Sequence, residues 1–210
     1  MPKIMIADDH AMLRQGLRTL LEQANYQVTP DATNGEEACS LVEKNKPDML
    51  ILDLDMPGIG GLETLKRLLT RKPQMRILVF SMHDDCIYAT RAIQAGARGY
   101  VTKTEPPETV LEAVEKVLNG GRYLNNDIAQ SISMSHFEKQ ENPIQKLSPR
   151  EFEIFRRVAN GEKLPAVAKA MHIGYKTAAN IQTTVRQKLD VETTGQLVHI
   201  AVRHGIIKGL

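Results

Sequence analysis

Two groups of acidic residues stand out because each directly follows a short apolar run. Asp8 and Asp9 follow the run Lys3–Ala7, and Asp53 follows the run Met49–Leu52. If the two runs form neighbouring parallel strands, their carboxyl ends meet and the three carboxylates converge on one pocket. Like charges at that distance repel one another unless a cation joins them. A carboxylate set with room for water suits Mg²⁺, so the sequence predicts a magnesium site.

Two further polar residues follow apolar runs later in the chain. Ser81 follows Ile77–Phe80, and Lys103 follows Gly99–Thr102. An aspartate beside a cation can attack a phosphoryl donor and form an acyl phosphate, which a hydroxyl and an ammonium group can hold. Each residue alone has an ordinary interpretation, as a helix cap, a turn residue or a solvated lysine. Together, at the ends of four strands, they predict a phosphoacceptor site in which one of the aspartates is the nucleophile.

The elements that must position these residues are predicted by the alternation of short apolar runs with amphipathic segments. A fifth run is Gln27–Ala32, and the amphipathic segments lie near 11–24, 35–45, 60–71, 84–95 and 107–119. This alternation indicates an α/β fold with a doubly wound, flavodoxin-like, five-stranded parallel sheet in the order 2-1-3-4-5. Pro30 agrees with that order, because a proline cannot donate to a sheet ladder and strand 2 is at the edge.

The remainder of the chain predicts a linker and a second, all-α domain. We expect the first domain to cover 1–121, the linker to cover 122–146 with a possible short helix near Asp127–Ser135, and the second domain to cover 147–210. Its four helices are predicted near 149–160, 164–171, 175–189 and 194–204. The short connection between the second and third of them is typical of a helix-turn-helix.

Two of these helices have a capping box in the sequence. Ser148 lies three residues before Glu151, and Thr193 lies three residues before Gln196. This spacing lets a hydroxyl accept from the backbone of the later residue while the later side chain accepts from the cap residue. We therefore expect helices to begin directly after Ser148 and Thr193.

Composition and charge bound the class of protein. Apolar residues make up 42% and charged residues 25% of the chain, as in ordinary globular domains. Residues 146–210 carry 11 Lys and Arg against 5 Asp and Glu, whereas the preceding residues carry 16 against 20. A basic end suggests that this end meets a polyanion. Early carboxylates argue against a signal peptide, and Cys39 and Cys86 form no disulfide framework, so we expect a cytoplasmic protein without membrane contact.

The strings IADDH, LILDLDMPG, VFSMH and GARGYVTK resemble, in order, the signature segments of two-component receiver domains. The resemblance covers roughly residues 3–120. It implies that Asp53 is the phosphoacceptor. It assigns Mg²⁺ to four residues, which are Asp8, Asp9, Asp53 and, through its backbone carbonyl, Asp55. It assigns the phosphoryl contacts and an aromatic switch to Ser81, Lys103 and Tyr100.

Two features of the receiver segments bear on how the site works. Ser81 stands where threonine is commoner, and Thr104 follows the lysine where many receivers have proline. Asp55 and His83 lie two residues after the acceptor and after the switch hydroxyl. In receivers these two positions influence how fast the acyl phosphate hydrolyses.

The strings LSPRE, ANGE, GYKT and KLDV, between residues 147 and 191, resemble the LuxR-type domain of the NarL/FixJ response regulators. The resemblance covers 147–207 and implies that the third helix enters the major groove of DNA. It places Ala179, Asn180 and Thr183 at base edges, and it assigns phosphate or flanking contacts to Lys176, Thr177, Gln182, Arg186 and Lys188. The small residues on the early part of this helix leave a second interpretation open, in which part of the face is adapted to a partner protein.

These resemblances together predict a DNA-binding transcriptional response regulator. It would be a stoichiometric phosphoacceptor with at most slow autodephosphorylation, not an enzyme. The expected partners are a sensor histidine kinase or phosphotransfer protein, double-stranded promoter DNA, a second copy of the phosphorylated chain and, further, RNA polymerase or a partner regulator. Two routes of control stay open: the unmodified receiver covers the recognition helix, or the modified receiver exposes a dimerisation face.

Two alternatives from other classes remain at this point. The string Asp53-Leu54-Asp55 also resembles the nucleophile and acid pair of haloacid-dehalogenase-type phosphatases. In those enzymes the pair follows the first strand, whereas here another acidic pair does, and nothing resembles a cap domain. The other alternative is a regulator whose receiver serves only for dimerisation, against which the complete set of site residues argues.

Overall fold

The fold is described from a computed structural model, which describes residues 1–84, 86–125, 128–130 and 143–207. The chain divides into two compact units, Met1–Phe137 and Glu138–Leu210. Within the described residues, no helix combines the length and the apolar character needed to span a membrane.

The first unit alternates strands and helices along the chain, as the sequence patterns predict. Its strands are β1 Lys3–Ala7, β2 Gln27–Val28, β3 Met49–Leu52, β4 Arg76–Ser81, β5 Gly99–Thr102 and β6 Tyr123–Leu124. Its helices are α1 Ala11–Gln23, α2 Gly35–Asn45, α3 Gly61–Arg71, α4 Cys86–Gln94 and α5 Pro107–Leu118.

All strands are parallel, in the order β2-β1-β3-β4-β5-β6. The predicted α/β class and the order 2-1-3-4-5 are confirmed, but the expectation of five strands is corrected by β6. This strand lies in the stretch assigned to the linker, and two residues are too short to form a recognisable sequence pattern. Residues 128–130 are helical, and the rest of the predicted short helix lies outside the described residues.

Strand β2 is shorter than the predicted run Gln27–Ala32, because its pairing with β1 shifts by one residue after Thr29. The strand lies at the sheet edge, and Thr29 still donates its backbone N–H to Ile4 at 2.9 Å. Donors to β1 alternate along the strand, from Gln27 to Thr29, so Asp31 would donate next; the missing N–H of Pro30 faces away from β1, where an edge strand tolerates it. Pairing resumes only at Ala32, which donates to Ile6 at 2.9 Å and forms an isolated bridge with Ala7.

The sheet is covered on both faces because successive strand residues point to opposite sides. On one face a continuous core joins strand residues to α1 and α5, with members such as Ile6, Ile51, Phe80, Leu21 and Val114. The helices α2, α3 and α4 pack in sequence with one another and contact the sheet through β1 and β5. Burial on both faces explains why the central strands β3 and β5 are apolar at almost every position.

The second unit is helical. A 3₁₀ turn, Pro143–Lys146, precedes four helices, which are α6 Pro149–Ala159, α7 Leu164–Ala170, α8 Tyr175–Leu189 and α9 Thr194–Arg203. Both predicted capping boxes are present, at Ser148 and Thr193. Helices α7 and α8 are joined by residues 171–174, so the predicted helix-turn-helix is confirmed.

Gly61, the first residue of α3, lets that helix dock directly onto the end of β3. A β-carbon built there would lie 2.2 Å from the Asp53 carbonyl oxygen and 2.5 Å from the Leu54 α-carbon. Both contacts are with backbone, which cannot move aside without displacing the strand end. We expect Gly61→Ala to lower the stability of the first unit by about 1–3 kcal/mol, the usual cost of overpacking.

A matched substitution separates this steric effect from a general effect of helix glycines. Gly16 lies inside α1, and a β-carbon there would meet no atom within 4 Å. Gly16→Ala should therefore raise stability by roughly 0.5–1 kcal/mol through the loss of unfolded-chain freedom. Scanning calorimetry of the full chain measures both. Equal midpoints for Gly61→Ala and wild type would contradict the close approach of α3.

Candidate functional site

The ends of β1 and β3 bring the predicted acidic residues together. The register pairs Ala7 with Leu52, so Asp8 and Asp53 follow at the same level of the sheet. The backbone N–H of Asp53 donates to the Ala7 carbonyl at 2.8 Å and fixes this alignment. Both carboxylates are buried, whereas the Asp9 side chain is 35% exposed. The strand-end argument from sequence therefore corresponds to the structure.

Lys103 links these two strand ends to a third. Its ammonium nitrogen Nζ lies 2.8 Å from Asp53 Oδ2 and 2.7 Å from Asp8 Oδ2, and the side chain is 3% exposed. Its backbone N–H donates to the Ser81 carbonyl at 2.8 Å, which continues the pairing of β4 with β5. Ser81 is the last residue of β4 itself and is fully buried. The four predicted strand ends thus surround one pocket.

Burial and charge act in opposite directions on the ionisable groups of the pocket. Burial raises the pKa of Asp53 and the Asp8 charge adds to this, while Lys103 partly offsets them, so the net shift is upward. Burial alone would lower the pKa of Lys103, but its hydrogen bonds to Asp53 and Asp8 outweigh burial and raise it. Lys103 therefore stays charged at neutral pH. One ammonium group then faces three carboxylates, which leaves a negative excess for a cation to neutralise.

The donor set fits Mg²⁺. Oxygen atoms of Asp8, Asp9 and Asp53, together with a nitrogen of His10, all lie within 4.8 Å of one another. Mg²⁺ prefers carboxylate and water oxygens, and the exposed Asp9 leaves one side of the pocket open to water. The fourth predicted ligand, Asp55, has its carboxylate against His83, at 2.8 Å from Nε2. The Asp55 side chain is not among the clustered ligand atoms, and the family resemblance assigns the ion to its backbone carbonyl.

His83 connects the phosphoacceptor pocket to the aromatic residues of the β4–α4 region. Its backbone N–H donates to Ser81 Oγ at 3.2 Å, and its carbonyl accepts from Tyr100 Oη at 2.8 Å. Its ring stacks on Tyr88, with centroids 3.7 Å apart and planes within 1° of parallel. Tyr100 is fully buried. Ser81 and Tyr100, the hydroxyl and the aromatic residue predicted to act as a switch, therefore both contact the backbone of His83.

Sequence reasoning missed three residues at this pocket, His10, Arg14 and Tyr88. Arg14 donates to the Asp8 carbonyl at 2.7 Å and to Asp31 at 2.7 Å. Burial raises the pKa of Asp31, but the hydrogen bonds from Arg14 and from a second arginine outweigh it and lower the pKa. His10 stands inside the string IADDH, so its proximity was available from the sequence, whereas Arg14 and Tyr88 lie on helices whose facing depends on packing.

The predicted recognition helix α8 presents a polar face. The exposed members of the predicted DNA-contacting set are Lys176, Thr177, Asn180, Thr183 and Lys188, and the partly exposed members are Ala179, Gln182 and Arg186. The opposite side is buried through Ala178, Val185 and Leu189.

Several polar side chains of α8 already have partners within the second unit. Lys188 donates to Glu151 at 2.7 Å and to the Lys146 carbonyl at 3.2 Å, and Arg186 donates to a threonine of α9 at 3.1 Å. Burial raises the pKa of Glu151, but its hydrogen bonds, that with Lys188 foremost, outweigh burial and lower it. Lys176 and Asn180 make no side-chain hydrogen bond among the described residues. Tyr175, which sequence reasoning passed over, is 60% exposed at the start of the helix.

Comparison with known proteins agrees with both units. Residues 4–115 match the family model described as response regulator receiver domain, and residues 145–201 match the model for bacterial regulatory proteins of the luxR family. The transcriptional activator protein ExaE of Pseudomonas putida is 37% identical over 209 residues, covering 98% of each chain. The response regulator GacA of Pseudomonas aeruginosa is 34% identical, covering 99% of this chain and 98% of GacA.

A solved structure shows the same likeness. The LuxR-family two-component response regulator from Aurantimonas sp. SI85-9A1 is 38% identical, with a TM-score of 0.62 over 66% of this chain and 99% of that one. A parallel sheet with an acidic pocket at its strand ends, followed by a helix-turn-helix unit, is the domain combination of response regulators that have a DNA-binding effector domain. The chain belongs to the NarL/FixJ family of response regulators, in which a receiver domain is joined to a LuxR-type DNA-binding domain.

Proposed function

We propose that the chain accepts a phosphoryl group on Asp53 from a sensor histidine kinase or phosphotransfer protein and, so modified, binds promoter DNA through α8. The observation that carries this proposal is the contact of one buried lysine with two buried aspartates. Lys103 Nζ lies 2.7 and 2.8 Å from oxygens of Asp8 and Asp53. A buried arrangement of this kind is costly for stability alone, because unbalanced carboxylates are taken out of water.

The residues of the pocket have distinct parts in the reaction. The Asp53 carboxylate attacks the phosphorus of the donor, the bond from phosphorus to the donor atom breaks, and the donor leaves with the electron pair. Mg²⁺, when bound by Asp8, Asp9, Asp53 and the Asp55 carbonyl, would screen charge between the carboxylates and the incoming phosphoryl oxygens. Lys103, whose ammonium group contacts Asp53 in this structure, would then pair with a phosphoryl oxygen. Ser81 would donate its hydroxyl to another phosphoryl oxygen.

The link from the pocket to the rest of the receiver would run through His83. If Ser81 turns its hydroxyl to the phosphoryl group, the hydrogen bond that this hydroxyl now accepts from the His83 backbone N–H is altered. The carbonyl of the same residue, His83, accepts a hydrogen bond from Tyr100, so the change can reach that side chain. Phosphorylation shifts the receiver only to the extent that the two conformations differ in their contacts with the phosphoryl group. We infer that this difference controls dimerisation and DNA affinity, by either of the two routes left open above.

The proposed cellular location and partners of the protein follow from this role. A regulator that meets promoter DNA works in the cytoplasm of a bacterium, as a homodimer on paired half-sites when phosphorylated. We further propose that the early part of α8, which carries small residues, contacts RNA polymerase or a partner regulator. We propose that the protein turns over its own acyl phosphate slowly and is not a phosphatase of other substrates.

The phosphoacceptor assignment is tested by intact-protein mass spectrometry after treatment with acetyl phosphate and Mg²⁺. Wild type should gain the mass of one phosphoryl group, and Asp53→Asn should gain none because the nucleophilic carboxylate is absent. Asp48→Asn is the matched control, since Asp48 is an exposed aspartate at the opposite end of the same strand. No gain on wild type would support a receiver that serves only for dimerisation, and steady release of phosphate beyond one equivalent would support a phosphatase.

Asp55 provides a test of the pocket's second step, hydrolysis of the acyl phosphate. Its carboxylate lies at the pocket edge, held 2.8 Å from His83 Nε2, where it can orient an attacking water. We expect Asp55→Asn to be phosphorylated and to lose its phosphoryl group severalfold more slowly, less than the roughly hundredfold effect of a full general base. Asp84→Asn, which changes an exposed aspartate of the β4–α4 loop, serves as control. Equal decay rates for all three proteins would contradict this role.

The DNA-binding face is tested with genomic fragments that the phosphorylated wild type retains. Asn180 is exposed on α8, and its amide can pair with a base edge. Asn180→Ala should weaken binding by about 1–3 kcal/mol, which is about fivefold to 150-fold, at fixed salt concentration. Asn160→Ala changes an exposed asparagine at the end of α6 and should bind as wild type does. Unchanged affinity of Asn180→Ala would argue that this face contacts a protein instead of bases.

A further inference from the structure

The turn between β1 and α1 places an imidazole at the edge of the acidic pocket. His10 is the N-cap residue of α1, but its side chain makes no capping hydrogen bond. The ring instead turns back, with Nδ1 at 3.1 Å from Asp8 Oδ1 and 2.9 Å from Asp9 Oδ1. Helix α1 therefore begins without a side-chain cap, and His10 Nδ1 lies beside carboxylate oxygens of Asp8 and Asp9.

The backbone holds His10 in this position from both sides. Its own N–H donates to Asp8 Oδ1 at 2.8 Å, and its carbonyl accepts from the N–H of Arg14 at 3.0 Å. The Arg14 guanidinium in turn donates to the Asp8 carbonyl at 2.7 Å. The turn that carries Asp8 and Asp9 is thereby fixed together with the histidine, so the imidazole is preorganised beside the two carboxylates.

We propose that His10 Nδ1 is a direct ligand of the divalent cation in this pocket, and that it makes the site favour first-row transition-metal ions over Mg²⁺. The inference rests on the metal site proposed above and adds a nitrogen to its oxygen ligands. Mg²⁺ is a hard ion that prefers oxygen, whereas transition-metal dications accept imidazole nitrogen. The ligand atoms of His10, Asp8, Asp9 and Asp53 already lie within 4.8 Å of one another.

The chemistry of the imidazole ring is suited to binding a metal ion through one nitrogen. In a neutral imidazole one nitrogen carries the proton and the other has a free lone pair. With a cation bound, Nδ1 donates its lone pair to the metal and Nε2 keeps the proton. The His10 side chain is 61% exposed, so water is available to the Nε2 proton.

Mn²⁺ is a stringent probe, because it stands lowest in the usual order of transition-metal affinities for nitrogen and oxygen sites. The experiment uses the full chain as wild type, His10→Gln and His199→Gln. His199 is an exposed histidine of α9, so its substitution removes one imidazole from the second unit. Bound Mn²⁺ is counted by continuous-wave electron paramagnetic resonance, and pulsed measurements detect the ¹⁴N nucleus of a directly bound imidazole. Competition with Mg²⁺ gives the affinity ratio.

We expect the nitrogen coupling in wild type and His199→Gln and its absence in His10→Gln. His10→Gln should also lower the Mn²⁺ affinity relative to the Mg²⁺ affinity by roughly tenfold. Substitution of a residue that only contacts a metal ligand already lowers metal affinity by about that factor. The wild-type spectrum is informative whether or not the variant folds. Mn²⁺ bound without nitrogen coupling, or coupling that persists in His10→Gln, overturns the inference and leaves the oxygen-ligand site intact. If Asp53→Asn binds Mn²⁺ as wild type does, the pocket is not the metal site and both proposals fail.

Discussion

The ion contacts of Lys103 with Asp8 and Asp53 are the interaction on which the receiver unit depends. A buried ammonium group lies within 2.8 Å of both buried carboxylates, and its charge offsets part of the cost of burying them side by side. This requires β1, β3 and β5 to end at matched levels, which the ladder hydrogen bonds enforce. It also requires α3 to begin close against β3, which Gly61 permits. The compensation is incomplete, and the remaining negative charge is what we propose that a cation neutralises.

His83 makes the pocket more than a local site, because one residue contacts both predicted switch residues. Its backbone contacts Ser81 and Tyr100, while its ring contacts Asp55 and Tyr88. A change in the hydroxyl of Ser81 therefore has a continuous physical route to a buried aromatic side chain. Such a route carries coupling only if the two arrangements have different contact energies. The Asp55 carboxylate contacts the same histidine, so the residue proposed to affect hydrolysis and the two proposed switch residues all meet at His83.

The second unit depends on local helix signals and on a small apolar core. The capping boxes at Ser148 and Thr193 define where α6 and α9 begin, and the buried Phe152 and Phe155 of α6 belong to the core beneath α8. Lys188 is committed to Glu151 at the far end of α8, where it stabilises the unit. The early part of α8 keeps Lys176 and Asn180 available. The helix is therefore divided between a structural end and an end suited to a partner.

The strand–helix alternation, the strand order, the four helices of the second unit and the pocket residues Asp8, Asp53, Ser81 and Lys103 all follow from the sequence. They do so because strand ends and capping residues are local features with fixed spacing. Strand β6 and the early end of β2 did not follow, since a two-residue strand has no pattern and the one-residue shift in the pairing of β2 with β1 is a property of the two strands together. Likewise, only the tertiary structure turned the rings of His10 and Tyr88 and the Arg14 guanidinium toward the site. Side-chain direction is decided by packing between elements that are distant in sequence, which no local spacing encodes.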